Sequence, residues 1–224
     1  ICQMHGRFAA FHTYFIVMEY CDGVTLDVVL QRVGSLPVPE IHKIIGQVAA
    51  ALQYAHAAEV VHRDIKPANI MLRQGSNPVN PTVPLLPDVQ PVLTDFGVAR
   101  LTTAKTQTAS GTVLGTPAYM SPEHVRGDDI DGRSDIYSLG IVIYEMLAGR
   151  PPFNHQTTPA AVLVKYMQES PPPIPQATRA VQHVMDRALA KEPAARYATA
   201  MAAVEALREL SPGIQVSLPV RVPE

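Results

Sequence analysis

Apolar side chains at Ile41, Ile44, Ile45, Val48, Leu52 and Ala55 recur at steps of three and four residues. That spacing lays them along one face of a long helix. Pro37 and Pro39 suit its entry, and the pattern ends near Ala57. Upstream, residues 13–20 read Thr-Tyr-Phe-Ile-Val-Met-Glu-Tyr, a β-branched and aromatic run that predicts a buried strand. Residues 1–8 offer an antiparallel partner, with residues 9–12 as the connection. Asp22-Gly23 breaks the pattern. Thr25 caps a short helix running to about Val33, where Gly34 ends it.

After the long helix, Val60-Val61-His62-Arg63-Asp64 leaves as a short extended segment. Ile70-Met71-Leu72 and Val92-Leu93-Thr94 predict two short strands. Between them, residues 74–91 contain Pro78, Pro81, Pro84, Pro87 and Pro91, which forbid a regular helix or central strand and predict a surface loop. The second half reads as helical. Ser121-Pro122-Glu123 is a helix start with a Ser cap and Pro at the first position. Residues 136–147 are apolar nearly all round, so that helix is central and buried, and Gly149 with Pro151-Pro152 stops it. Thr158-Pro159 begins another helix. Two more cover residues 177–190 and 199–210, and a proline-containing tail follows from Ser211.

Composition adds little that the pattern lacks. Hydrophobic residues at 47% and charged residues at 17% fit a folded globular chain. A net charge of −2 gives no basic field of the kind that marks nucleic-acid binding. No apolar run approaches the roughly 20 residues of a membrane helix, and no signal peptide stands out. The two cysteines, Cys2 and Cys21, show neither CxxC nor zinc-ligand spacing, which reads as a reducing, cytoplasmic setting. The remaining histidines form no HExxH pattern, so packing or surface roles are their default.

The chemistry is concentrated in His62-Arg63-Asp64-Ile65-Lys66-Pro67-Ala68-Asn69 and in Asp95-Phe96-Gly97. Each lies on a loop beside a short strand. One loop carboxylate can orient an attacking hydroxyl and accept its proton. The other, with an amide oxygen, supplies hard ligands for Mg²⁺, and a lysine can neutralise charge on a moving phosphoryl group.

With these residues in this order, the chain resembles the eukaryotic-type protein kinases, and most closely their bacterial serine/threonine branch. The resemblance runs to about Leu210. It rests on the hinge strand 16–22, HRDIKPAN, DFG, Gly115-Thr116, Ser121-Pro122-Glu123 and Asp135-Ile136-Tyr137-Ser138-Leu139-Gly140. It implies an α+β, protein-kinase-like fold. Residues 1–20 would be the last two strands of the small lobe and the start of the hinge, 21–210 the helical lobe, and 211–224 a linker or tail.

The resemblance implies a role for each matching residue. Asp64 is the catalytic base, Lys66 contacts the transferring phosphate, and Asn69 and Asp95 bind Mg²⁺ (Mn²⁺ as an alternative). Met18 matches the gatekeeper, Glu19 and Cys21 the hinge that meets the adenine of ATP, and Met71 the floor of the adenine pocket. Met4, His62 and Phe96 match a stacked apolar column. Asp135 supports the catalytic loop, and Glu123 with Arg196 forms a buried ion pair. Arg63 suggests control by activation-segment phosphorylation, with Thr106 and Thr108 favoured as sites. Thr116, with Lys66, marks serine/threonine rather than tyrosine substrates.

Implied partners are protein substrates with Ser or Thr acceptors, and a homodimer for autophosphorylation. The chain would be cytoplasmic, alone or as the cytoplasmic part of a membrane-anchored protein. A catalytically impaired scaffold is the alternative. It draws on one departure from the family: no GxGxxG, strand lysine or partner helix glutamate occurs before Ile16. The expectation is that such elements lie upstream, and that the 224-residue polypeptide alone is poorly soluble and nearly inactive. The other departure is the proline-rich insert, whose removal (residues 76–88) should leave activity largely intact.

Overall fold

A computed structural model describes residues 1–74, 89–96, 117–153, 159–175 and 177–210. Strands β1 (Met4–Ala10) and β2 (Thr13–Met18) form an antiparallel hairpin, paired from Met4↔Met18 to Ala10↔Thr13. The turn residues Phe11 and His12 both take positive φ, at 51° and 59°. The strand expected to be buried is exposed along its whole length. Its β-branched and aromatic content is what a pleat requires, but among the described residues no second layer covers it. Phe8 and Phe15 instead stack on each other at 5.1 Å.

A second sheet joins β3 (Val24–Thr25), β4 (Ile70–Gln74) and β5 (Val89–Leu93) in that order, all antiparallel. Pro91, expected to lie in the loop, is inside β5 opposite Leu72. Proline has no N–H to give a ladder, and β5 is an edge of this sheet, where that loss is tolerated. The insert therefore narrows to residues 75–88, which lie outside the described residues. Gly23 is required at the sheet's other edge: a Cβ there would sit 2.4 Å from the Leu72 carbonyl oxygen.

The helices follow the periodic pattern closely. Helix α1 (Leu26–Val33) starts after Thr25, whose side chain makes no cap bond. Helix α2 (Val38–Ala57) buries Ile41, Ile44, Ile45, Val48, Leu52 and Ala55, the predicted face. Helix α3 (Pro122–Arg126) is capped by the Ser121 hydroxyl, which accepts from the His124 N–H. Helix α4 (Gly132–Ala148) is buried at every position from Ser134 to Tyr144 and ends at left-handed Gly149. Helix α5 (Pro159–Gln168) packs on α3, while α6 (Arg179–Ala188) and α7 (Ala200–Glu209), capped by Thr178 and Thr199, pack on α4. Helix α2 packs on α7, α4 and β5, so the core sits directly behind the loops that carry the chemistry.

Candidate active site

The loop between α2 and β4 is held from beneath by one buried carboxylate. Asp135, near the start of α4, has no exposed surface. Its Oδ2 accepts from the His62 N–H at 2.8 Å and its Oδ1 from the Arg63 N–H at 2.8 Å. The His56 Nε2 lies 2.7 Å from Oδ2 as a third partner. A buried charge is tolerated only when it is saturated in this way. The bonds also bend the chain: Arg63 takes φ 67°, an uncommon conformation for a side chain of its size. The match of Asp135 was legible in the sequence. The part played by His56, on a helix far away in the chain, was not.

His62 is fully buried, and its ring stands between two loops. Nε2 is 2.9 Å from the Thr94 carbonyl oxygen, which can only accept, so Nε2 carries the proton. Nδ1 then accepts from the Asp64 N–H at 3.3 Å. Burial lowers the imidazole pKa, outweighing the nearby carboxylates, and keeps this neutral tautomer. The ring packs on Phe96 at 4.5 Å between centroids, so two members of the expected column meet. Met4 is 60% exposed on β1.

The short 3₁₀ turn Pro67–Asn69 brings three functional side chains together. The Lys66 Nζ is 2.8 Å from the Asp64 Oδ2. The Asn69 Nδ2 donates to the Asp64 carbonyl at 2.8 Å and to Oδ2 at 3.1 Å. Both side-chain contacts fall on Oδ2, and among the described residues none falls on Oδ1. Asn69 is buried, and its carbonyl accepts from the Thr94 N–H at 3.0 Å and from the Thr94 hydroxyl at 3.2 Å. Asp95 is the next residue, exposed, with φ 55°. One carbonyl thus ties the loop bearing Asp64 to the loop bearing Asp95.

The Asn69 and Asp95 side chains fit a hard divalent cation. Nδ2 is committed to Asp64, which leaves the amide oxygen as the ligand, and Asp95 offers a carboxylate. Met71 is half-buried near the start of β4, paired with Val92 and Thr25. Met18 ends β2 and is 41% exposed, and Glu19 continues the hairpin through its N–H to the Gln3 carbonyl at 2.8 Å. Arg63 is half-buried beside Asp64. Thr106, Thr108 and Thr116 lie outside the described residues.

Below the site, Glu123 and Arg196 pair as expected, and more completely than the sequence could say. Arg196 Nη1 and Nη2 reach the two Glu123 oxygens at 2.7 Å each. The remaining guanidinium donors go to the carbonyls of Ala190, Arg133 and Lys191 at 2.8, 2.9 and 3.0 Å. The Ser134 hydroxyl also donates to Glu123. Burial alone would push the Glu123 carboxyl up, but the Arg196 and Ser134 hydrogen bonds outweigh it and hold the pKa at about 2. Next to this pair, burial and the Arg196 charge lower the Lys191 pKa to about 8, and its amine donates to the Tyr166 carbonyl at 2.6 Å.

Two cysteines that the sequence separated are neighbours. The Cys2 and Cys21 sulfurs are 3.7 Å apart, because the β1–β2 register brings residue 2 beside the end of the hairpin. Burial and the adjacent Cys2 and Glu19 push the Cys21 thiol up to about 11.

The comparisons with known proteins agree with this geometry. The protein kinase domain family matches residues 1–207. The serine/threonine-protein kinase PknB of Mycobacterium leprae is 40% identical over 193 residues, 83% of this chain and 28% of that protein. Pkn1 of Myxococcus xanthus is 40% identical over 200 residues, covering 87% and 27%. PknA of Mycobacterium tuberculosis is 38% identical over 213 residues, covering 92% and 46%. The chain thus spans between about a quarter and a half of these relatives. Among the described residues no helix is long and apolar enough to cross a membrane. With its catalytic-loop geometry and these matches together, the chain belongs to the protein kinase domain family, on its bacterial serine/threonine branch.

Proposed function

We propose that this protein transfers the γ-phosphoryl group of ATP to serine and threonine hydroxyls of protein substrates. The observation that carries the reading is the Asp64 carboxylate. One oxygen is held by Lys66 and Asn69, while among the described residues the other accepts nothing. A carboxylate pinned on one side and open on the other is suited to orient a hydroxyl and take its proton. As the hydroxyl oxygen bonds to the γ-phosphorus, the proton passes to Asp64 and the bond to the leaving ADP oxygen breaks. Lys66, already beside Asp64, offsets charge on the moving phosphoryl group.

Asn69 and Asp95 would hold Mg²⁺, with Mn²⁺ as a substitute. When bound, the ion neutralises phosphate charge and fixes the nucleotide's orientation. Met18, Glu19, Cys21 and Met71 would bound the adenine site. Arg63, at the strained bend beside Asp64, would receive a phosphate from Thr106 or Thr108, since a guanidinium pairs bidentately with phosphate. Thr116 would line the acceptor peptide's path.

The test is Asp64→Asn in the full-length protein. Turnover should fall by about two to four orders of magnitude, the range for a lost general base. ATP affinity and the melting temperature should stay near wild type. Unchanged turnover would remove Asp64 from this role.

A further inference from the structure

We propose that Cys2, Glu19 and Cys21 form a three-residue site for a thiophilic divalent cation, zinc being the natural occupant, at the junction of the hairpin and the segment after it. The three ligand atoms lie within 4.8 Å of one another. They come from two stretches of chain that the β1–β2 register brings side by side. Two edges of the triangle have the right lengths. Tetrahedral zinc, with bonds of about 2.3 Å to sulfur and about 2.0 Å to oxygen, sets two sulfurs about 3.8 Å apart and a sulfur and an oxygen about 3.5 Å apart. Here the sulfurs are 3.7 Å apart, and the Cys21 sulfur is 3.6 Å from the Glu19 Oε1. A fourth position remains for water, as in zinc sites with three protein ligands.

The carboxylate separates this reading from a redox pair. A redox pair needs only the two sulfurs, whereas zinc takes sulfur and carboxylate oxygen together, and the Glu19 Oε1 stands beside the Cys21 sulfur. Arg73 already faces Glu19, but only at 3.5 Å from Oε1, a long contact that a metal bond would replace. The occupied site would lock residues 1–3 to residues 19–21. The Cys2 N–H donates to the Leu93 carbonyl at 2.9 Å, so the tie reaches the end of β5, two residues before Asp95.

Cobalt is the probe, because thiolate–cobalt bonds give a near-ultraviolet charge-transfer band that imidazole and carboxylate ligands do not. The reduced full-length protein should bind one Co²⁺ with that band, and an equimolar amount of Zn²⁺ should abolish it. Cys2→Ser and Cys21→Ser should each lose at least half of the band, the double serine variant all of it, and Glu19→Gln should weaken binding at least tenfold. Each variant should melt within a few degrees of metal-free wild type, since all three side chains are partly exposed. No band in the reduced wild type would overturn the site, as would a band of full intensity in the double serine variant. Recovery of the air-exposed protein as a Cys2–Cys21 disulfide with no metal uptake after reduction would overturn it in favour of a redox pair.

Discussion

Asp64 and Glu123 are both carboxylates facing a cation, yet they are held in opposite ways. The Glu123 side chain is 3% exposed, and both of its oxygens are engaged by Arg196. The Asp64 side chain is 31% exposed and has one engaged oxygen among the described residues. The first arrangement uses every donor available and leaves nothing for a ligand. The second leaves an acceptor open to a hydroxyl. Saturation marks a fastener, and incompleteness on a rigid support marks a site of chemistry.

The sharpest way to break that contrast is to remove Arg196. Arg196→Ala should destabilise the fold by about 3–5 kcal/mol, because it leaves the Glu123 charge buried and unpaired. Arg196→Lys should recover only part of this, since an ammonium cannot span both carboxylate oxygens and reach carbonyls in three directions. Thermal and denaturant melts would measure both, and a loss below about 1 kcal/mol for Arg196→Ala would refute the fastener reading.

Asp135 tests the support beneath the loop. Asp135→Asn keeps one acceptor oxygen but loses the charge shared by two backbone N–H groups and His56. A stability loss of about 1–3 kcal/mol should follow. Turnover should fall with it, although Asp135 would touch no substrate. A variant that loses neither would show that the loop holds its bend unaided.

Acid titration tests the Glu123 fastener through its lowered pKa. The Glu123 pKa is lowered from 4.5 to about 2 in the folded protein. Its stabilising contribution is therefore complete above about pH 4.5 and is lost as pH falls toward about 2. Melting temperatures across that window should fall less steeply in Glu123→Gln than in wild type. Equal slopes would mean that other carboxylates carry the acid sensitivity.

The smallest effect on stability should come from Asp64, the residue proposed as the base. Asp64→Ala should change stability by no more than about 0.5 kcal/mol, as for a partly exposed side chain outside the packed core. A large loss would make Asp64 a second fastener.

Much of this was legible in the sequence, for identifiable reasons. The buried face of α2 and the span of α4 follow from apolar spacing, which depends only on local geometry. That Asp64, Lys66, Asn69 and Asp95 sit on neighbouring loops was legible because those loops keep a fixed order and spacing. Contacts across long stretches of chain were not legible. His56 on Asp135, Ser134 on Glu123 and Cys2 beside Cys21 depend on helix crossings and hairpin register. Exposure of β2 was misread because β-branched and aromatic content suits a pleat and says nothing of what covers it. Pro91 was misplaced because its tolerance depends on which strand is an edge.

The β4–β5 ladder sets Asn69 and Asp95 at one end and the pairing of Gln74 with Val89 at the other. Whatever sequence joins Gln74 to Val89 must only close a gap that the ladder already holds shut, and closure entropy grows slowly with length. For protein engineering this is a grafting position. A reporter domain whose termini lie close together could be spliced in there, remote from the carboxylates, and read the protein's whereabouts without disturbing the loops at the ladder's other end.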